Sequence, residues 1–238
     1  MAFTNSPLVS YTQISPYSSG RKGRNIDTIT IHCSASQAAV ETLGRLFQTK
    51  AASANYGIGP DGRVGMYVEE RNRSWATSDG ENDRRAVTIE VACENKHPYR
   101  VNDAAYKTLL DLVTDICRRN GIKKLIWSTS KADRVNHKNG CNMTVHRDYE
   151  NKACPGQWLY ERHGQIAAEV NKRLTEDEEM VRWNKIEDVP EGYREMAQRY
   201  IDAGALKGKG NGEIDLSEDM IRVMEIMRRY FENIMEGK

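Results

Sequence analysis

From Ile26 to His32 the chain alternates β-branched and polar residues, a period of two that predicts a strand with Thr28, Thr30 and His32 on one face. His32 stands at the C-terminal end of that strand. Ser36 is placed to cap a helix in which Val40, Leu43 and Phe47 recur at helical spacing. Tyr56 to Val68 reads as a hairpin, because Pro60-Asp61-Gly62 divides two short runs and combines a preset φ with a residue that tolerates positive φ. Ala86 to Val91 alternates again and turns Thr88 and Glu90 away from the main core. Asn102 caps the clearest helix, with Tyr106, Leu109, Leu110, Val113, Ile116 and Cys117 on one side and Asn120-Gly121 as its stop. Leu125-Ile126-Trp127 reads as a short strand, Ser128 to Gly156 as a long irregular segment, and Trp158 to Leu174 as a last helix. Pro7 to Gly23 is polar and reads only as a strap or arm. Strands interleaved with helices predict an α/β layer fold, a central, mostly β sheet flanked by helices.

The 238 residues are 39% hydrophobic and 29% charged, which excludes collagen-like, coiled-coil and wholly disordered chains. No apolar run approaches the length of a membrane span, and Met-Ala-Phe-Thr-Asn-Ser-Pro opens without a basic region and apolar stretch. Synthesis in the cytoplasm without a signal peptide is therefore the expectation. Five cysteines, Cys33, Cys93, Cys117, Cys141 and Cys154, are too few and odd in number for a disulfide framework, which fits a reducing compartment. The net charge of +1 hides a division: residues 1–174 carry 25 basic and 18 acidic groups, residues 175–238 carry 10 and 16. Two units are expected, 1–174 and a small helical module at 183–238, joined by a linker at 175–182 that holds the acidic run Glu176-Asp177-Glu178-Glu179.

Histidine and cysteine are the chain's candidate metal ligands, and their order allows three readings. His137, Cys141, His146 and Cys154 could close a structural zinc site in the long segment. Alternatively His32, at its strand end, joins His146 and Cys154 and leaves a fourth position for water, as catalytic zinc sites do. In the third reading none of them binds a metal.

Several separated segments bear on that choice. Ile31-His32-Cys33-Ser34-Ala35-Ser36, Ala54 to Val64, Val87-Thr88-Ile89-Glu90, and Val145-His146-Arg147-Asp148 through Lys152-Ala153-Cys154-Pro155-Gly156 stand in an order that resembles the type 2 N-acetylmuramoyl-L-alanine amidases. That zinc family includes phage endolysins and peptidoglycan recognition proteins, and the resemblance spans about residues 24–174. It implies a zinc cleft with Zn2+ held by His32, His146 and Cys154, and hydrolysis of the amide between N-acetylmuramic acid and L-alanine in peptidoglycan. It also implies that Glu90 activates water, that Lys152 stabilises the oxyanion, and that Tyr56 lies beside the metal as a rival base. Asn55 and Trp75 fall where substrate contacts are expected. Two features depart from the family: Ser74-Trp75-Ala76-Thr77 lacks a histidine many relatives carry there, and the segment from Ser128 to Met143 is long, with Arg134, His137, Lys138 and Cys141 expected at a cleft rim. Cys33 reads as buried filler, and His97, His137 and His163 as non-ligands.

The acidic tail adds Asp188-Val189-Pro190, a helical run through Ile201, Gly204-Ala205-Leu206-Lys207-Gly208, and a final helix with Met220, Met224, Met227 and Phe231 as a stripe. That order resembles a single S-layer homology motif, which implies binding of wall polysaccharide or completion of the binding surface by self-association into a homo-oligomer. A small helical cap is the plainer reading. The basic residues of the first unit are scattered apart from Arg21-Lys22-Gly23-Arg24, which suits an anionic cell wall and argues against a nucleic-acid partner. Together these features imply a phage or prophage endolysin lysing a Gram-positive host, acting on the wall after release. A muropeptide-recycling amidase and a non-catalytic peptidoglycan-binding protein are the alternatives.

Overall fold

The computed structural model describes residues 3–179, 181–210 and 212–235. Two compact units emerge, Met1–Leu174 and Thr175–Lys238. The first contains, in order, β1 (Val9–Thr12), β2 (Ser18–Gly20), β3 (Thr28–Cys33), α1 (Val40–Thr49), β4 (Tyr56–Ile58), β5 (Val64–Met66), β6 (Asn72–Ser74), α2 (Gly80–Arg85), β7 (Ala86–Val91), α3 (Asp103–Arg119), α4 (Lys131–Val135) and β8 (Met143–Thr144). α5 (Gly156–Glu179) follows. β9 (Arg182–Trp183), α6 (Glu191–Asp202), β10 (Leu216–Ser217) and α7 (Glu218–Met235) belong to the second unit.

Six strands form one mixed sheet in the order β1-β5-β4-β7-β3-β8. β3 runs parallel to both β7 and β8, and β4 parallel to β7 but antiparallel to β5. One face is apolar: Ile29, Ile31, Val87, Ile89, Tyr56 and Ile58 pack in one cluster with Leu109, Leu112, Val113 and Ile116 of α3 and Ile166 and Val170 of α5. Each such fully buried aliphatic side chain contributes about 1.5–3 kcal/mol. At its N-terminus α3 begins as expected, with the Asn102 side chain accepting from Ala105 N at 2.9 Å.

The other face of the same strands is polar and buried. Thr30 and Thr144 share a hydroxyl hydrogen bond of 2.7 Å, and Asn82 of α2 donates to Thr30 Oγ1 at 3.2 Å while accepting from Thr144 Oγ1 at 2.9 Å and the Tyr149 hydroxyl at 3.0 Å. Thr88 bonds Ser74 Oγ at 2.6 Å and receives the Asn55 backbone N–H at 3.0 Å. Where β4 and β5 turn this way they carry glycines, since a Cβ on Gly57 would meet the Tyr67 ring at 2.7 Å. Tyr67 lies across them and donates to Val40 O at 2.8 Å, tying α1 to this side.

Several local expectations are corrected. Ser36 does not cap α1, whose N-cap is Ala39 without a side-chain bond; Ser36 instead turns back to Ser34 Oγ at 3.3 Å. The Pro7–Gly23 arm supplies an edge strand, β1, paired with β5, and β2, paired with β6. Leu125–Trp127 joins no sheet: Leu125 N donates to Asn171 Oδ1 at 2.7 Å and Ile126 N to Asn142 Oδ1 at 2.8 Å, while Ile126 O accepts from Asn142 N at 3.1 Å. Ser128–Gly156 is not wholly irregular, holding α4, β8 and 3₁₀ turns at Lys138–Gly140 and His146–Asp148. α5 continues to Glu179, so 175–179 of the expected linker is helical; Met180 lies outside the described residues.

That long segment is fastened by a buried ion pair. Arg134 is 2% exposed and grips Asp148 with two bonds, Nε to Oδ2 at 2.7 Å and Nη2 to Oδ1 at 2.6 Å. Its guanidinium lies 4.5 Å from the Trp127 ring centre, and His163 of α5 packs on the same ring at 4.5 Å. Arg134 is thus inside the unit rather than at a cleft rim. Burial pushes the His163 imidazole down to about 4, and its Nε2 is buried without a partner.

In the second unit β9 and β10 pair antiparallel, and Val189, Met196, Ala197, Leu216, Ile221 and Met224 form a separate core. The expected methionine stripe of α7 is not its buried face: Met224 is buried, whereas Met220, Met227 and Phe231 are 40%, 45% and 54% exposed. Ile221 takes the place beside Met224 because residues three apart share a helix face.

Two predictions follow from the buried polar groups. Asn82→Ala removes the acceptor of two hydroxyls and the donor to two others, and should cost about 2 kcal/mol in urea unfolding followed by tryptophan fluorescence. His163 is neutral in the fold until about 4, while the unfolded imidazole takes its proton near 6.5. Stability should therefore fall as pH drops below about 6.5, by about 3 kcal/mol in all, and level off below about 4. His163→Leu should flatten that dependence; an unchanged slope between about pH 6.5 and 4 would count against it.

Candidate functional site

The sheet's polar face ends in a row of chemically active side chains. β3 and β7 are in register with His32 opposite Glu90. β8 pairs with β3 through Ile29↔Met143 and Thr30↔Thr144, which brings the chain past Val145 to His146 beside His32, ring centres 5.2 Å apart. Cys154 comes in just before α5, its Sγ 3.4 Å from His32 Nδ1. One donor atom from each of His32, His146 and Cys154 lies within 4.8 Å of the others. Among the described residues no other group of three His, Cys, Asp or Glu side chains gathers in this way.

The donor chemistry fits a metal. Two ligands of a tetrahedral zinc, one nitrogen and one sulfur, stand about 3.5 Å apart, close to the observed separation. His32 is 2% exposed, and the nitrogen it sets 3.4 Å from the Cys154 sulfur is Nδ1. Two imidazoles and one thiolate leave one tetrahedral position open. The four-donor alternative in the long segment does not assemble: Cys141 is buried with its thiol directed to Ile126 O at 3.2 Å, and His137 Nδ1 lies 3.0 Å from Cys141 O.

Electrostatics separate the members of this row. Burial lowers the His32 imidazole below its ordinary value, against the pull of Glu90. Burial raises the Glu90 carboxyl above the usual carboxylate range, with His32 and His146 opposing. Cys33 is buried in the main core cluster, as expected, and its thiol is pushed up to about 12, foremost by the neighbouring Cys154. Glu90, His32, His146, Cys154 and Lys152 all line one cleft of about 380 Å³ whose apolar wall includes Leu43 and Phe47. Lys152 is half exposed, with its Nζ 3.4 Å from Glu150 Oε1.

Trp75 stands at the rim, 39% exposed, its ring 5.8 Å from that of Tyr17. Two expected site residues lie elsewhere. Asn55 is fully buried and spent on the backbone, donating to Val68 O and Asn72 O at 3.2 Å each and accepting from Thr88 N at 3.1 Å, so it is a bracket rather than a substrate contact. Tyr56 is fully buried on the apolar face, because in β4 it is Gly57 that stands opposite Glu90. The Tyr56 hydroxyl donates to the buried Glu70 at 2.7 Å and accepts from Ser6 N at 2.9 Å; burial raises its pKa far above the ordinary phenol. It therefore does not lie beside the metal donors.

Sequence reasoning missed three contributors. Asp148 anchors the His146 turn through Arg134, Ser78 reaches the site from the loop before α2, and Glu150 contacts both His146 and Lys152. The first was legible in part, since Asp148 lies within the His-Arg-Asp segment. Ser78 and Glu150 carry no local signal, because their meeting is made by the fold.

The family model described as N-acetylmuramoyl-L-alanine amidase matches residues 22–157. Similar solved structures include a selenomethionine AmpD derivative, 18% identical with TM-score 0.51 over 70% of this chain and 99% of that one. The endolysin N-acetylmuramoyl-L-alanine amidase LysCS from Clostridium intestinale is 18% identical with TM-score 0.50, covering 68% and 93%. The PlyG catalytic domain is 16% identical with TM-score 0.50, covering 68% and 93%. No curated protein matches the chain. These likenesses share the fold, and the family match takes in more than half of the sequence, including His32, His146 and Cys154: the chain belongs to the N-acetylmuramoyl-L-alanine amidase family.

Proposed function

We propose that the protein is a zinc-dependent amidase that hydrolyses the bond between N-acetylmuramic acid and L-alanine in peptidoglycan, as a phage or prophage endolysin. The observation that carries this reading is the His32–His146–Cys154 donor set gathered beside Glu90 in one cleft. Zinc held there would acidify a water molecule and polarise the scissile carbonyl. Glu90 faces the same space from β7 and takes the proton of the attacking water, then returns it to the departing amine of L-alanine. Its raised pKa suits a group that must both accept and release a proton. Because the Tyr56 hydroxyl is committed to Glu70, the base role falls to Glu90 alone. Lys152 at the cleft supplies positive charge to the developing oxyanion. The exposed ring of Trp75 offers an apolar face to the sugar or the peptide.

For the second unit the proposed role is wall binding after release of the enzyme to the cell wall. Its support is the resemblance of residues 183–235 to an S-layer homology motif, together with a surface pocket of about 370 Å³ that contains Tyr193, Arg199 and Arg228. Self-association through this unit is the rival role, and sedimentation of the full chain with and without wall polymer separates them.

The protein should carry one zinc per chain and release new N-terminal L-alanine from purified Gram-positive sacculi. Cys154→Ser should lose both properties, whereas Glu90→Gln should keep the metal and lose about 10²–10⁴-fold in kcat. Alanine release from soluble muropeptides but not from sacculi would replace the lytic role with a recycling one. Full activity in Cys154→Ser would overturn the metal assignment.

A further inference from the structure

Glu150 makes more contacts to the site than any role so far assigned to it requires. Its Oε2 lies 3.1 Å from His146 Nε2 and accepts from the Ser78 hydroxyl at 2.8 Å; its Oε1 lies 3.4 Å from Lys152 Nζ. One carboxylate therefore meets a metal-donor histidine, the cleft lysine and the loop before α2. It does not belong to the donor set itself, since the mutually close atoms come from His32, His146 and Cys154.

The chemistry of the pair decides the tautomer. An ionised carboxylate can only accept, so Nε2 of a neutral His146 must carry the hydrogen, which leaves the lone pair on Nδ1. That nitrogen is the one free to bind a metal. A carboxylate behind a metal-bound imidazole also fixes the ring plane and raises its basicity. On the other oxygen, the ion pair restrains a lysine whose long stem is otherwise free to leave the cleft. Ser78 keeps the carboxylate from swinging away, and its own backbone is held in the left-handed region at φ +62°.

We propose that Glu150 is a positioning residue that sets His146 for the metal and Lys152 for the substrate at once, with Ser78 as its brace. The proposal rests on the zinc-amidase reading above. It separates the two tasks by variant: Glu150→Gln keeps an oxygen that accepts from His146 but loses the charge that restrains Lys152, while Glu150→Ala loses both.

The test uses the full-length protein, stripped of metal and titrated with zinc against a chromophoric chelator, alongside kcat and KM on a peptidoglycan fragment. Glu150→Ala should weaken zinc binding about tenfold or more. Glu150→Gln should bind zinc within about threefold of native and lose about tenfold in kcat with little change in KM. Ser78→Ala should show a smaller loss of zinc affinity in the same direction as Glu150→Ala. Glu150 is 41% exposed on its side chain, so the melting curves should overlay, which removes misfolding as the cause. Zinc affinity of Glu150→Ala within about twofold of native overturns the proposal, as does equal weakening in Gln and Ala variants. Failure of the native protein to bind zinc overturns the underlying reading instead.

Discussion

A sheet buried on both faces must satisfy polar groups on whichever face is not apolar, and that requirement organises this unit. β3 is buried from Thr28 to Cys33, yet every second side chain is polar. An unpaired buried hydroxyl costs about 1–3 kcal/mol, so the threonines can be buried only as a closed set of partners. Asn82, Asn55 and Ser74 close that set, and each comes from an element whose position is thereby determined: α2, the start of β4 and the end of β6. The polar face thus does for the smaller side of the sheet what the Ile and Val face does for α3 and α5.

The same rule locates the site. Along β3 and β7 the inner polar rows are mutually bonded, Thr30 with Thr144 and Thr88 with Ser74. The outermost row is His32 opposite Glu90, and there the hydrogen bonds run out: His32 Nε2 has no partner. Fold stability alone would favour another threonine pair at this position. Instead the row holds groups whose partners must come from outside the sheet, and the chain delivers His146 and Cys154 to them from the segment fastened by Arg134 and Asp148. A buried bidentate pair is a poor source of net stability but a good source of fixed geometry. Here it fixes the turn that carries His146.

Much of this was legible from periodicity and motif, and the misreadings have physical causes. Alternation along 26–32 and 86–91 correctly put His32 and Glu90 on one face, because a strand's side-chain period is two. The same arithmetic applied across strands would have removed Tyr56 from the site: Gly57, not Tyr56, pairs with Glu90. Register between strands is set by tertiary packing, so it cannot be counted from one strand alone. Asn55 was misread because a polar residue in a motif looks the same whether it serves a ligand or a backbone. Leu125–Trp127 has strand composition, but the N–H groups of Leu125 and Ile126 find their partners in two asparagine side chains far along the chain. In α7 the stripe of Met220, Met224, Met227 and Phe231 was counted without knowing what the helix packs on, and the contacts of Ile221 and Met224 decide which face is buried.

The charge states of the site point the same way as its geometry. Burial drives His32 toward the neutral imidazole and Glu90 toward the neutral acid, each minimising charge in the absence of a partner. For a metal ligand the first shift is helpful, since only the neutral imidazole has a lone pair to give. The second becomes helpful once a dication stands nearby, because the positive charge offsets the desolvation that holds the Glu90 proton in place. A cation bound at His32, His146 and Cys154 would therefore favour the carboxylate form of Glu90 that a base requires. The coupling follows from placing a carboxylate and an imidazole opposite each other at the ends of two paired strands, where both line one cleft.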